Sequence, residues 1–412
     1  MAAKKRFRKL LLGLTLMPMA RAKAVEVSPI YGLQVLGGQY FYSGQKGSLS
    51  GNVNALVAPA VKYNENWGFL PSLNSIYYGT NQVIDIVGSG TLFQEQWDNR
   101  AAVTAVYTPT GSLWRIKPTA SFKYEMLKET KGESWGGDLF DYYKWDGGVE
   151  AEYVYHDPFT VRFGADYFEM NFPNYTSLES QSAFSVGGQS LARELVGDSV
   201  LNTSNVAAYA AMDGEVLPWL VLSGGLSGTY ERFPKQHVVN GQGALIAQIR
   251  EDAITLGSLG VKIPYQFDAN VRLLGGLDAA FSYDSSNQNS FDATQTQFLP
   301  FYYNYVEARL TPSVKVMIGD AKLPVTLTEA FTWYGRRYPY RLTQDSTGIY
   351  QGTTIHSNNY MSSTSLSYPM AQHFNLMFNF QYGQATSNMH FEQFFKYNYT
   401  VANYFFGFNY DY

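Results

Sequence analysis

Tyr143-Lys144-Trp145-Asp146-Gly147-Gly148-Val149-Glu150-Ala151-Glu152-Tyr153-Val154-Tyr155 puts an apolar or small residue at every odd position and charges at most even ones. Successive side chains of a β-strand point to opposite faces. One face of this strand therefore carries Tyr143, Trp145, Gly147, Val149, Ala151, Tyr153 and Tyr155. The other carries Lys144, Asp146, Glu150 and Glu152. Just upstream, Ile116, Pro118, Ala120, Phe122, Tyr124 and Met126 alternate with Arg115, Lys117, Thr119, Ser121, Lys123 and Glu125. Just downstream, Phe159, Val161, Phe163, Ala165 and Tyr167 alternate with Thr160, Arg162 and Asp166. Leu49–Tyr63 and Val271–Tyr283 repeat the pattern, the latter with Arg272 and Asp278 on its polar face. The apolar faces of the strands at 49–63, 116–126, 143–155, 159–167, 220–230, 253–265 and 271–283 hold no charged residue. That is period-two patterning of one apolar and one charged face.

Alternation alone fits a soluble sandwich as well as a membrane barrel; length and rhythm favour the barrel. Sixteen strands are expected, near 30–42, 48–63, 67–80, 99–108, 114–127, 143–155, 159–170, 205–216, 219–231, 253–265, 269–284, 302–318, 323–335, 358–370, 373–383 and 397–412. Many exceed the ~5–6 residues of globular strands and reach the ~9–11 that cross a bilayer when tilted. Linkers after even-numbered strands are short, such as Asn64–Asn66, His156–Pro158 and Leu217–Pro218. Those after odd-numbered strands are mostly long: 81–98, 128–142, 171–204, 232–252, 285–301 and 336–357. Ser43–Gly47 and the intermediate 384–396 depart from this. Short periplasmic turns and long extracellular loops mark outer-membrane barrels, and an even count places both termini in the periplasm. Counts of fourteen or eighteen stay open, because Pro71 interrupts 67–80 and Glu329 shares a face with Leu327 and Phe331. A lipid-facing charge is costly, so a bulge or an off-midplane position is expected at Glu329.

Aromatic residues flank the short turns (Tyr63, Trp67, Tyr107, Trp114, Tyr155, Phe159, Tyr368, Phe374) and close the far ends (Tyr124, Tyr143, Tyr167, Tyr230, Tyr283, Trp333, Tyr360, Tyr382). Two such girdles suit the two membrane–water interfaces. In hydrocarbon every backbone group must be paired within the protein, so the last strand is expected to pair with the first. That last strand carries Ala402, Tyr404, Phe406, Phe408, Tyr410 and Tyr412 on one face. A terminal aromatic preceded by apolar residues at every second position resembles the C-terminal signal of Gram-negative outer-membrane proteins. Tyr412 stands where Phe is more usual. The resemblance implies the barrel assembly machinery as a partner and outer-membrane lipid as the surroundings. In size and topology the whole of 25–412 resembles the sixteen-stranded porin class: an all-β, antiparallel up-and-down transmembrane barrel. Arg336–Tyr412, through Ser387-Asn388 and Phe394–Tyr404, also resembles the terminal barrel of surface-assembly and exopolysaccharide-export proteins.

Residues 1–24 read as a signal peptide. Lys4, Lys5, Arg6, Arg8 and Lys9 precede the apolar Leu10–Met17, and Ala20-Arg21-Ala22 and Ala22-Lys23-Ala24 offer cleavage sites. The apolar stretch is shorter than the ~20 residues of a spanning helix. Removing 1–24 takes away seven basic residues and no acidic one, so the net charge falls from -4 to -11. An acidic chain is a poor nucleic-acid binder, because phosphate contacts need a basic surface. The expected remainder, 25–412, is one domain, with no room for a plug or passenger domain ahead of the first strand. The absence of cysteine excludes disulfides and thiolate metal sites.

No G-x-S-x-G, H-E-x-x-H or paired-carboxylate motif occurs, and the five histidines (His156, His237, His356, His373, His390) fall in turns and loops. No catalytic residue, metal or cofactor is expected. Function is expected in the lumen. There Arg115, Lys117, Lys123, Lys144, Arg162, Lys262, Arg272, Arg309 and Lys315 face inward with Glu125, Asp146, Glu150, Glu152, Asp166, Asp213, Glu215, Asp278 and Glu307. Rings of opposite charge tune ion preference, or else neutralise each other and keep the wall wet. Three readings follow: a pore for small hydrophilic solutes or ions, a selective or export barrel with a lumen-folded loop, and a surface interaction protein. The loop most suited to folding inward is 171–204, with its amphipathic patch Leu191–Val200.

Overall fold

The computed structural model describes residues 25–45, 47–84, 91–130, 132–154, 159–175, 185–186, 189–190, 193–292, 295–392 and 396–412. Residues 1–24, the turn His156–Pro158 with Tyr155, and parts of 171–204 and 384–396 lie outside them.

Sixteen strands form one antiparallel sheet, each paired with its sequence neighbour. They are β1 (Tyr31–Tyr42), β2 (Ser48–Val57), β3 (Trp67–Tyr78), β4 (Glu95–Tyr107), β5 (Trp114–Lys128), β6 (Tyr142–Val154), β7 (Phe159–Asn171) and β8 (Thr203–Leu217). Then come β9 (Leu220–Val239), β10 (Leu245–Gln266), β11 (Val271–Ser286), β12 (Tyr305–Ile318), β13 (Val325–Gln344), β14 (Tyr350–Ala371), β15 (Phe374–Ser387) and β16 (Tyr399–Asp411). Short segments at Glu26–Ser28 and Ala60–Lys62 prolong β1 and β2 and pair with each other. Pro71 sits in β3 opposite Val103 of β4 without breaking the ladder.

The sheet closes. β1 pairs with β16 from Gly32↔Asp411 to Tyr42↔Val401, so no edge is left for hydrocarbon to meet. Glycines let the seam approach closely. A Cβ on Gly407 would stand 1.7 Å from the Val35 carbonyl oxygen, and one on Gly38 would stand 2.0 Å from that of Tyr404.

Outside, the apolar faces form the belt: Leu226, Leu259, Phe163, Phe281 and Phe406 are exposed there. Ring pairs bind neighbouring strands at the turn end, with Trp67–Tyr107 centroids at 4.7 Å and Trp114–Tyr153 at 4.9 Å. Tyr167, Tyr230, Tyr283, Tyr360 and Tyr382 stand exposed toward the loop end.

Two expected loops are strands instead. Residues 232–252 and 336–357 mostly continue β9–β10 and β13–β14 as hairpins that turn at 240–244 and 345–349. The Glu329 expectation is also corrected. Pairing runs without a register shift from Ile318↔Val325 to Val306↔Arg337, and from Thr326↔Ser367 to Arg337↔His356. No bulge is present at Glu329.

Candidate functional site

The interior is built by the even–odd rule of each strand. Register rows place Arg115 opposite Glu152 and Lys117 opposite Glu150 across β5–β6, on the face turned away from Trp145 and Val149. Arg162 and Asp166 of β7 fall on the same face, as do Asp278 and Arg272 of β11 and Glu307 and Arg309 of β12.

Opposite charges on this face meet. Lys117 Nζ lies 2.9 Å from Glu150 Oε1 and 2.5 Å from Glu152 Oε2, while Arg115 donates to Glu152 Oε1 at 3.0 Å. Lys123 Nζ bridges Asp98 (2.9 Å) and Glu125 (2.5 Å), and Lys144 Nζ stands 3.5 Å from Asp146. Arg162 pairs with Asp213. Tyr209 donates to Glu150 at 2.6 Å and Tyr142 to Glu125 at 2.5 Å. The row of bases on β5 is thus answered by acids on β4 and β6.

The groups differ in access. Arg115 and Asp213 side chains are each 47% exposed, whereas Glu125 is 5% exposed. Toward the turn end the wall is wet; toward the loop end it is covered. Glu307 is held by Arg336 (2.8 Å) and Tyr334 (2.6 Å). Arg272, Asp278 and Arg309 make no ion pair among the described residues; Arg272 reaches only the Ala321 carbonyl, at 3.4 Å.

The segment Arg193–Leu201 packs against the loop end of the wall. Val200 and Leu201 pack with Phe93, Leu127, Phe172 and Tyr175 in one buried cluster, and Leu195 lies against it. Tyr175 donates to the Leu195 carbonyl at 2.7 Å. Gly197, at φ 141°, makes the turn, where a Cβ would stand 2.7 Å from Val200. At its other side the segment meets β9 and the Ser290–Asp292 strand. Tyr303 donates to Glu194 Oε1 at 3.1 Å, and both are buried.

Next to that contact, the buried Arg250 lies between the rings of Phe233 (4.2 Å) and Tyr303 (3.8 Å) and is clamped by Asp252 and Gln236. Burial pushes the Glu194 carboxyl up to about 7, with the Tyr303 hydroxyl and the Arg250 charge opposing. Oε2 of Glu194 has no hydrogen-bond partner among the described residues.

Asp98, Glu194, Arg250, Asp252 and Arg336 are not legible as site residues in the sequence, because they fall in the linkers between the alternating stretches. Beyond the bilayer both faces of a hairpin are wet, so no alternation marks the strand there. The amphipathic patch was the one visible sign of the docked segment; its Leu191 lies outside the described residues.

A closed sixteen-strand barrel with an apolar belt, aromatic girdles and a charged interior is an outer-membrane β-barrel, porin-like in size and topology, and its place is the bacterial outer membrane. No family model and no curated protein matches the chain. Solved structures similar to it include in-vitro folded OmpT, an outer membrane protein of Vibrio cholerae, in its trimer form. Identity there is 12%, covering 95% of this chain and 100% of that one, with a TM-score of 0.44. A bacterial polysaccharide outer membrane secretin is similar at 8% identity, 93% and 98% coverage and a TM-score of 0.44. An anion-selective porin from Comamonas acidovorans is similar at 8% identity, 94% and 100% coverage and a TM-score of 0.43. Likeness at this level is silent on function.

Proposed function

We propose that the protein is a water-filled channel for small hydrophilic solutes or ions. One observation carries this reading: inside the closed barrel, charged side chains such as Arg115, Arg162 and Asp213 are solvent-exposed, although the outer belt is apolar. Charges held at a wet inner wall set the field that a passing ion meets. In this reading Arg115, Lys117, Lys123, Glu125, Lys144, Asp146, Glu150, Glu152, Arg162, Asp166, Arg272, Asp278, Glu307 and Arg309 line the path. Residues 1–24 are the export signal, the barrel assembly machinery inserts the chain, and both termini face the periplasm.

The docked segment Arg193–Leu201 favours a second reading, a selective barrel whose bore is narrowed at the loop end. Single-channel recording in planar bilayers decides between them. Steady ohmic steps support the open pore. Conductance that appears only after Arg193–Leu201 is replaced by a glycine-serine linker supports the narrowed barrel. Absence of conductance in both proteins overturns the channel reading.

A further inference from the structure

Glu329 is the anomaly of the outer face. On β13 it points outward with Leu327 and Phe331, and it is exposed. Its cross-strand partner Thr364 lies four residues from Tyr360 and four from Tyr368, which stand exposed on either side along β14. At ~3.3 Å per residue that is about 13 Å from each ring, so Glu329 sits at mid-belt. A carboxylate there needs a partner, and intramembrane ionisable groups mark sites rather than filler.

The surroundings are built for contact. Glu329 borders a groove of about 610 Å³ lined by Val261, Ile263, Leu277, Pro312, Val314 and Phe331, with Ser362 at its edge. Thr364 Oγ1 donates to Glu329 Oε2 at 2.9 Å, which leaves Oε1 free to accept. Ser362 is exposed on the same outward face, a hydroxyl donor with no hydrogen bond among the described residues. On the far side of β14, Phe380, Tyr382, Tyr404 and Phe406 stand out as a ridge. Groove and ridge thus flank one strand whose mid-belt outward residues are small.

We propose that this face is the contact between two copies of the chain, related by a two-fold axis through β14. An isologous contact sets residue i against j and j against i. The ridge of one copy fills the groove of the other, and the Ser362 hydroxyl of each donates to Glu329 of its partner. This pairs an acceptor and a donor that otherwise face hydrocarbon. Lipid tails fill the groove but leave Glu329 Oε1 and the Ser362 hydroxyl unpaired.

The chain has no cysteine, so single substitutions report cleanly. Thr364→Cys and Leu366→Cys are placed near the axis on the outward face of β14, and Leu226→Cys sits on the exposed belt of β9 as control. Native outer membranes are oxidised or treated with a short bismaleimide. The expected result is a discrete dimer at 364 or 366 and none at 226, lost when Glu329→Leu is added. Monomer at all three positions, or ladders beyond dimer, overturns the proposal. If the cysteine variants do not assemble, the mass of the wild-type protein in mild detergent decides: dimer supports, monomer overturns. Neither readout depends on conductance.

Discussion

At the scale of single residues, the inner wall is a set of answered charges. Lys117 sits between Glu150 and Glu152 with its side chain 22% exposed, so it belongs neither to the free surface nor to a dry core. Exposed pairs contribute ~0–1 kcal/mol and broken buried pairs cost about 3–5 kcal/mol. Loss of Lys117 is expected between these limits, near ~1–2 kcal/mol. Because each lysine holds two acids, its removal also leaves net negative charge on the wall. Lys117→Gln with Lys123→Gln is therefore expected to shift the reversal potential in a salt gradient toward cation preference. Glu150→Gln with Glu152→Gln is expected to shift it oppositely. Unchanged selectivity together with a lowered melting temperature would mean that the pairs only brace the wall.

At the scale of elements, the segment Arg193–Leu201 is a strap held by unlike contacts at its two sides. One side is apolar, against Phe172 and Tyr175; the other is the buried Glu194–Tyr303 contact. A carboxyl pushed up to about 7 resists ionising where it is docked. Its ordinary value is 4.5, so the docked form is unpenalised below that pH and loses stability as pH rises from there through about 7. The shift sets a ceiling of about 3 kcal/mol on that loss. The groups facing Glu194 are Ser290, Tyr303, Arg250 and Tyr175, with Asp252 behind Arg250; the arginine stays charged throughout. Limited proteolysis is expected to cut within 193–201 faster at pH 8 than at pH 5.5. Glu194→Gln should flatten that dependence. Equal rates at both pH values in the wild-type chain would rule out the carboxyl as the sensor.

At the scale of the whole molecule, everything rests on the seam between β1 and β16. A barrel is stable in lipid only when closed, because an open edge leaves polar backbone unpaired in hydrocarbon. Gly407 is where that closure has least room. Gly407→Ala must push β16 away from Val35, whereas Gly257→Ala on β10 meets nothing within 4 Å. Heat-modifiable migration on unboiled gels is expected to fail or weaken for Gly407→Ala and to persist for Gly257→Ala. If both behave as wild type, the seam is more compliant than its geometry implies.

The alternation in Tyr143–Tyr155 and its neighbours, the aromatic ends and the terminal Phe406–Tyr412 determined the barrel, its two faces and the facing of the inner charges. These were legible because a bilayer imposes one rule on every crossing, apolar outside and polar inside, and a period of two records it locally. Only the tertiary structure decided which charges meet and which segment docks at the loop end. Glu194 in the docked segment, Arg250 on β10 and Tyr303 just ahead of β12 are far apart in the chain and come together through tertiary docking, not through spacing. It also decided the place of Glu329. Sequence marked that residue as costly, but unbroken register set it opposite Thr364 and beside Ser362 with no bulge to turn it aside. Register between strands is a non-local quantity, and no window of one strand contains it.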